Sequence, residues 1–280
     1  TGTECKTNCG GTMGRAKYGG KTMIKIENTE TYGWKAAIRG MRNPLESWKK
    51  SDSLFNIGYL RDDNGFIYMS GYDICDEQEE INMCSSHGFT LGDADLALMK
   101  KLVAAGTDHS KFMRMINVSC DIIAPLYWWK EMDTYKVGTV ANSCSTMHCI
   151  HKKEFTIDDF SHEHLEDDIN MKLKQLISNA KANTDVLTVP LALLRVTIGC
   201  LNVQREAYLK TKDKRYWWQM IQLLPSSYNQ RRTVMLNYAV LRNIYHARKN
   251  HKLDEWREFC EWIETLPYSE IITCETGKEG

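Results

Sequence analysis

The chain has 280 residues, 42% hydrophobic and 26% charged, which is enough apolar material for a sizeable core and excludes a disordered chain. Lysine plus arginine and aspartate plus glutamate each number 36, so no net field recruits a polynucleotide or an acidic membrane. No apolar run reaches the roughly 18 to 20 residues of a membrane span, and the N-terminus lacks the apolar core of a signal peptide, so a cytoplasmic protein is expected.

Residues Thr1 to Thr22 are glycine-rich and carry no apolar periodicity; they read as a leader or an appended tail. No internal repeat or low-complexity linker follows, which predicts one domain over residues 23–280. The ten cysteines have no repeated spacing and read as reduced thiols. From Met23 a short alternating strand leads into a helix-like run with Trp34, Ala37 and Ile38 on one side. Lys35, Arg39 and Arg42 near its end either complement the helix dipole or grip an anion. Phe55 to Leu60 and Phe66 to Ser70 flank a segment with Asn64-Gly65, which predicts a tight hairpin, and the acidic run Asp76 to Glu80 reads as a solvated loop.

Asp93 or Asp95 is expected to cap a helix carrying Leu96, Met99, Leu102 and Val103 at helical spacing, with Gly106 ending it. Ile116, Val118, Cys120 and Ile122 alternate with Asn117, Ser119 and Asp121, the period of a half-buried strand. The stretch Ala124 to Ile150 then changes from apolar bulk to small polar residues. Pro125 suits a first helical position, Leu126, Trp128, Trp129 and Met132 supply its apolar face, and Gly138 offers a stop. Thr139 and Asn142 to Thr146 read as a loop able to approach a ligand, or as an ordinary turn. Cys144, His148, Cys149 and His151 are four potential metal ligands, but structural zinc usually draws on two separated pairs, so no metal is expected.

Phe155 to Asn183 reads as a long polar helix, and Val186 to Leu209 and Lys214 to Leu224 as two more. Pro225 and Ser226 or Ser227 look like start signals for a last helix running to Arg248. At about 100° per residue, that helix would carry Asn237, Ile244 and Arg248 on one stripe.

The segment LPSSYNQRRTVMLNYAVLRNIYHAR resembles the flavin-dependent thymidylate synthases, the ThyX family, without a gap. LGDADLALMKKLVAAGTDHSKF is similar to the family's helix and following histidine segment, and VSCDIIAPLYWWKE to its strand, proline and aromatic-rich helix. The likeness covers roughly residues 90 to 150 and 215 to 265, and more vaguely Met23 to Trp48. It implies an α/β (α+β) fold with helices packed on a central sheet, assembled as a homotetramer. It also implies FAD, with NADPH and methylenetetrahydrofolate as co-substrates, in the methylation of dUMP to dTMP. Flavin contacts would fall on His109, Lys136, Asn142, Asn237 and Asn243, and nucleotide contacts on Glu131, Cys144, Ser145, Thr146 and Arg248, with Arg248 polarising the uracil.

The family signature, R-H-R-x-x-S-x-N-E-x-S-x-R-Y, falls on Thr134 to Met147 and is largely replaced: Lys136 stands for its second arginine, Thr139 for a serine and Thr146 for an arginine that helps bind phosphate. Glu131 stands for a glutamine, and Ile221 for a further arginine. A lysine cannot reproduce a guanidinium fork. The alternatives are a related flavoenzyme acting on another pyrimidine nucleotide, a non-catalytic nucleotide- or flavin-binding homologue, or a cysteine or zinc protein centred on Cys144 to His151.

Overall fold

The computed structural model describes residues 23–55, 58–61, 67–70, 89–167 and 189–275. The strands are β1 (Lys25–Tyr32), β2 (Leu54–Phe55), β3 (Gly58–Arg61), β4 (Ile67–Ser70), β5 (Phe89–Thr90), β6 (Asn117–Pro125), β7 (Val140–Ser143) and β8 (Asn229–Asn237). The helices are α1 (Trp34–Arg42), α2 (Asp93–Ala104), α3 (Leu126–Met132), α4 (Thr146–Cys149), α5 (Pro190–Thr211), α6 (Lys214–Leu223), α7 (Tyr238–Arg248), α8 (Asp254–Glu264) and α9 (Glu270–Thr273). An antiparallel sheet in the order β1-β6-β8-β7 forms the centre, beside two small two-stranded sheets, β2-β5 and β3-β4.

Alternation divides the two faces of the central sheet. Val118, Cys120, Ile122 and Ala124 of β6 and Val234 and Leu236 of β8 are buried under helices. Asp121 and Thr233 point the other way and are hydrogen-bonded to each other, with Arg231 and Glu27 paired nearby. One face is therefore a core and the other a polar surface, as period-two patterning requires. Over the core face, Trp128, Trp129, Trp256 and Phe259 lock α3 to α8 with ring centroids 4.8–6.0 Å apart. A second, smaller cluster joins α5 and α6 to Ile150, Phe155 and Phe160.

Several local expectations change. Pro125 is the last residue of β6, opposite Asn229, and precedes α3 in extended conformation (φ −68°, ψ 151°) instead of opening the helix. The loop after Gly138 contains β7, which adds to the exposed edge of β8. Residues 229–237 form a strand instead of a helix, because their alternation matches β6 over nine paired positions and sheet pairing outweighs the local helix signal. Over its described part, residues 155–167, the expected long helix is absent: a capping box between Thr156 and Asp159 closes a single 3-10 turn, and Phe160 then bridges to Tyr228, while residues 168–183 lie outside the described residues. The cap of α2 is supplied from a distant segment: Asp52 accepts from the N–H groups of Ala94 and Asp95 at 2.8 and 3.0 Å.

Asp95 itself is turned inward. Its carboxylate takes the Arg42 guanidinium at 2.6 Å and both hydroxyls of Ser51 and Ser53 at 2.6 Å. Arg42 is thus committed to the interior and grips no ligand. β3 and β4 pair as the hairpin reading requires; the turn between them, the acidic run Asp76 to Glu80 and Thr1 to Thr22 lie outside the described residues. Phe55 pairs with Phe89 in β2-β5, and residues 56–57 lie outside the described residues.

Candidate active site

The antiparallel pairing of β6 and β8 sends the helices that follow them back over the sheet from opposite ends. At about 1.5 Å per residue, the seven residues of α3 and eleven of α7 together span most of the length of a nine-residue strand, so their C-termini meet over it. Glu131 and Arg248 stand at that meeting point, with Arg248 Nη1 2.7 Å from Glu131 Oε2. The guanidinium also donates to the Tyr135 hydroxyl at 3.0 Å, lies 2.9 Å from His251 Nε2 and stacks on Trp256 with Cζ 4.7 Å from the ring centroid. Trp256 Nε1 donates to the same Glu131 oxygen at 3.0 Å.

The charges follow from the backbone. A helix C-terminus is a region of negative potential, and here two converge, which favours the Arg248 cation and disfavours a bound anion. Glu131 survives at its own helix end because Arg248 and Trp256 both donate to it. Among the described residues Arg248 Nη2 and Glu131 Oε1 have no hydrogen-bond partner, and both side chains are partly exposed, at 19% and 35%. A donor and an acceptor on adjoining groups suit the carbonyl and N–H edge of a pyrimidine better than they suit a phosphate.

A second group gathers where β7 leaves β8. Gln230 Nε2 donates to the Cys144 carbonyl at 3.1 Å and to Thr146 Oγ1 at 3.3 Å, and its Oε1 accepts from Arg232 Nε at 3.0 Å. Arg232 also pairs with Asp133 at 2.8 Å and stacks on Trp129 at 4.3 Å. Ser145 caps α4, its hydroxyl accepting from His148 N–H at 3.2 Å and lying 2.7 Å from His148 Nδ1.

The fold is similar to that of solved structures, among them two crystal structures of the flavin-dependent thymidylate synthase ThyX from Helicobacter pylori with FAD and dUMP. One aligns with TM-score 0.52 and 13% identity over 88% of this chain and 96% of its own. The other gives TM-score 0.53 and 12% identity over 89% and 95%. The chain shares the ThyX fold. No protein-family model and no curated protein matches the sequence.

Within that ThyX-like fold the residues singled out from sequence divide. Glu131 and Arg248 meet directly, and Cys144, Ser145 and Thr146 lie together at the β7-β8 end. His109, Lys136, Asn142 and Asn243 are exposed and make no side-chain hydrogen bond among the described residues. Asn237 does not share a helical stripe with Arg248. It ends β8 and caps α7, its Oδ1 accepting from Val240 N–H at 3.0 Å while its Nδ2 donates to the Gly138 carbonyl at 3.4 Å. Cys144, His148, Cys149 and His151 do not converge; among the described residues no three His, Cys, Asp or Glu side chains could hold a metal ion.

Tyr135, His251, Trp256 and Arg232 were missed from sequence. Tyr135 falls inside the resembled signature and His251 lies one turn beyond Arg248, so proximity to marked residues was the available signal. Arg232 was hidden by reading β8 as helix. Elsewhere, burial first and Asp121 second push the Cys120 thiol up to about 12, and burial foremost does the same to Cys260, so neither is a nucleophile.

Proposed function

We propose that the protein is a flavin-dependent enzyme of the thymidylate synthase type that binds FAD and dUMP as a homotetramer, with methylenetetrahydrofolate as carbon donor and NADPH as reductant. The observation that carries this reading is the Arg248-Glu131 pair, whose open donor and acceptor complement a pyrimidine edge. The fold shared with two ThyX structures that contain FAD and dUMP supports it.

In this reading Arg248 binds and polarises the ring carbonyl, Tyr135 and Trp256 fix the guanidinium plane, and Glu131 orients it. Arg232, connected through Gln230 to Thr146, supplies cationic charge on the side where the signature has lost its arginines. Lys136 and His109, with the amides of Asn142 and Asn243, have the donor chemistry that a pyrophosphate and a polyol chain need. Being exposed on one chain, they would be enclosed by neighbouring copies. Bound flavin supplies hydride; the protein supplies orientation and electrostatics.

A second reading, another pyrimidine nucleotide, is favoured by Glu131 itself. A carboxylate oxygen only accepts, whereas the amide in the family pattern also donates, so a ring presenting an amino group would be matched as well. Purified protein is expected to be yellow and to release tritium from [5-³H]dUMP when methylenetetrahydrofolate and NADPH are added. Arg248→Lys is expected to keep its flavin and lose roughly ten- to a hundred-fold in turnover, the worth of one charge-assisted hydrogen bond. Release from [5-³H]dCMP but not dUMP would select the second reading, and a colourless protein inert to both would overturn the two together.

A further inference from the structure

The longest helix among the described residues, α5, buries only one of its sides. Leu191, Leu194, Ile198 and Leu201 pack inward, whereas Leu193, Val196 and Val203 are 42%, 56% and 63% exposed. Cys200 is exposed as well. At about 100° per residue, Leu193, Val196, Cys200, Val203 and the half-buried Ala207 fall within one stripe roughly opposite the buried side. Their spacing alternates three and four, the pattern of a helix that meets another helix along a seam. A solvated helix has no reason to keep that spacing apolar.

The occupant is indicated by the stripe's own symmetry. It is centred on Cys200, so turning the helix end over end about that point lays the stripe on itself, with Leu193 opposite Ala207 and Val196 near Val203. Gly199 borders the centre, and a methyl group placed on it would meet nothing within 4 Å, so another backbone can approach there. Arg195 and Glu206 lie on one flank and are nearly equidistant from Cys200. In an antiparallel pair like flanks face each other, which brings Arg195 against Glu206 of the partner subunit. Their present partners, Asp167 for Arg195 at 2.8 Å and Lys210 for Glu206 at 3.8 Å, form exposed pairs that exchange at little cost.

We infer that α5 is a self-association surface on which a second copy of this chain packs antiparallel, with Cys200 against its own copy at the two-fold axis. The surface requires no flavin and no nucleotide. It deepens only the assembly part of the proposed function, and stands if the chemistry proves different.

The test uses full-length protein and a short bis-maleimide reagent that joins two thiols without oxidation. A covalent dimer is expected, with Cys200 joined to Cys200 by peptide mapping, lost in Cys200→Ser and retained in Cys144→Ser. Sedimentation velocity is expected to show at least tenfold weaker association for Val196→Glu/Val203→Glu, with an unchanged circular dichroism spectrum because both positions are exposed. Arg195→Glu should weaken association and Arg195→Glu/Glu206→Arg should restore it, which no change within one chain predicts. A monomeric native protein, unchanged association in the double glutamate variant, or Cys200 joined only to other cysteines would each overturn the proposal. Flavin content measured on the same samples separates its failure from failure of the flavoenzyme reading.

Discussion

Replacing Glu131 with glutamine restores the residue type of the family pattern and isolates what the carboxylate does. Glu131 Oε2 receives Arg248 Nη1 at 2.7 Å and Trp256 Nε1 at 3.0 Å, both of which the amide oxygen of glutamine can still accept, so the packing is kept while the charge is lost and the open Oε1 acceptor becomes an N–H donor. A hydrogen bond to a charged group contributes about 1.5–3 kcal/mol, and its neutral counterpart about half as much. With one partner 35% exposed, solvent screening reduces the difference to about 1 kcal/mol. In a protein of this size that corresponds to a fall in Tm of about 2–4 °C. Arg248, released from its counter-charge, should meanwhile bind a uracil carbonyl more strongly, by up to about tenfold in Kd. Differential scanning fluorimetry and calorimetric titration with dUMP measure the two effects on one sample. A Tm drop with unchanged or weaker dUMP binding would refute the idea that the Glu131 charge weakens the hold of Arg248 on the ring.

Asp95→Asn leaves Arg42 buried without a counter-charge and is expected to cost about 3–5 kcal/mol, read as a lowered urea midpoint. Burial alone would raise the Asp95 pKa, but hydrogen bonds from Ser51, Ser53 and Arg42 with the Arg42 charge outweigh it and hold the pKa below its ordinary value. The stabilisation is therefore complete above the unfolded-state pKa of about 3.9 and is lost as pH falls through the lower folded-state value; the variant should show a flatter acid-unfolding profile than the native protein. Gly138 has φ +80°, and a Cβ there would lie 2.6 Å from Asn237 Nδ2, so Gly138→Ala should lower the thermal midpoint and weaken nucleotide binding together. Asn237→Ala removes the α7 cap and should cost about 1–2 kcal/mol by chemical denaturation.

The sequence made the sheet core and the first helices legible because their apolar residues alternate or recur without competition: Val118, Cys120 and Ile122 are buried as expected, and so are Trp34, Ala37 and Ile38. It misled at Asn229–Asn237, where Pro225 and the serines mimic a helix start and only the distant partner strand β6 imposes extension. The meeting of Glu131 and Arg248 spans a sequence separation of 117 positions and could be reached only through the family resemblance. His251 and Trp256 are invisible from either direction, since an aromatic and an imidazole after a helix look like ordinary packing until the guanidinium lies between them.

Asn237 ties the loop after α3 to the start of α7, so Glu131, Tyr135, Gly138 and Arg248 belong to one mechanical unit. The arms that carry the charged pair cannot swing apart without breaking the cap of the helix that bears Arg248. β7, by contrast, lies at the edge of the sheet and is held by a single neighbouring strand. The unit is therefore rigid on one side and loose on the other, and hydrogen exchange should be fastest at Val140 to Ser143 and slow along β8.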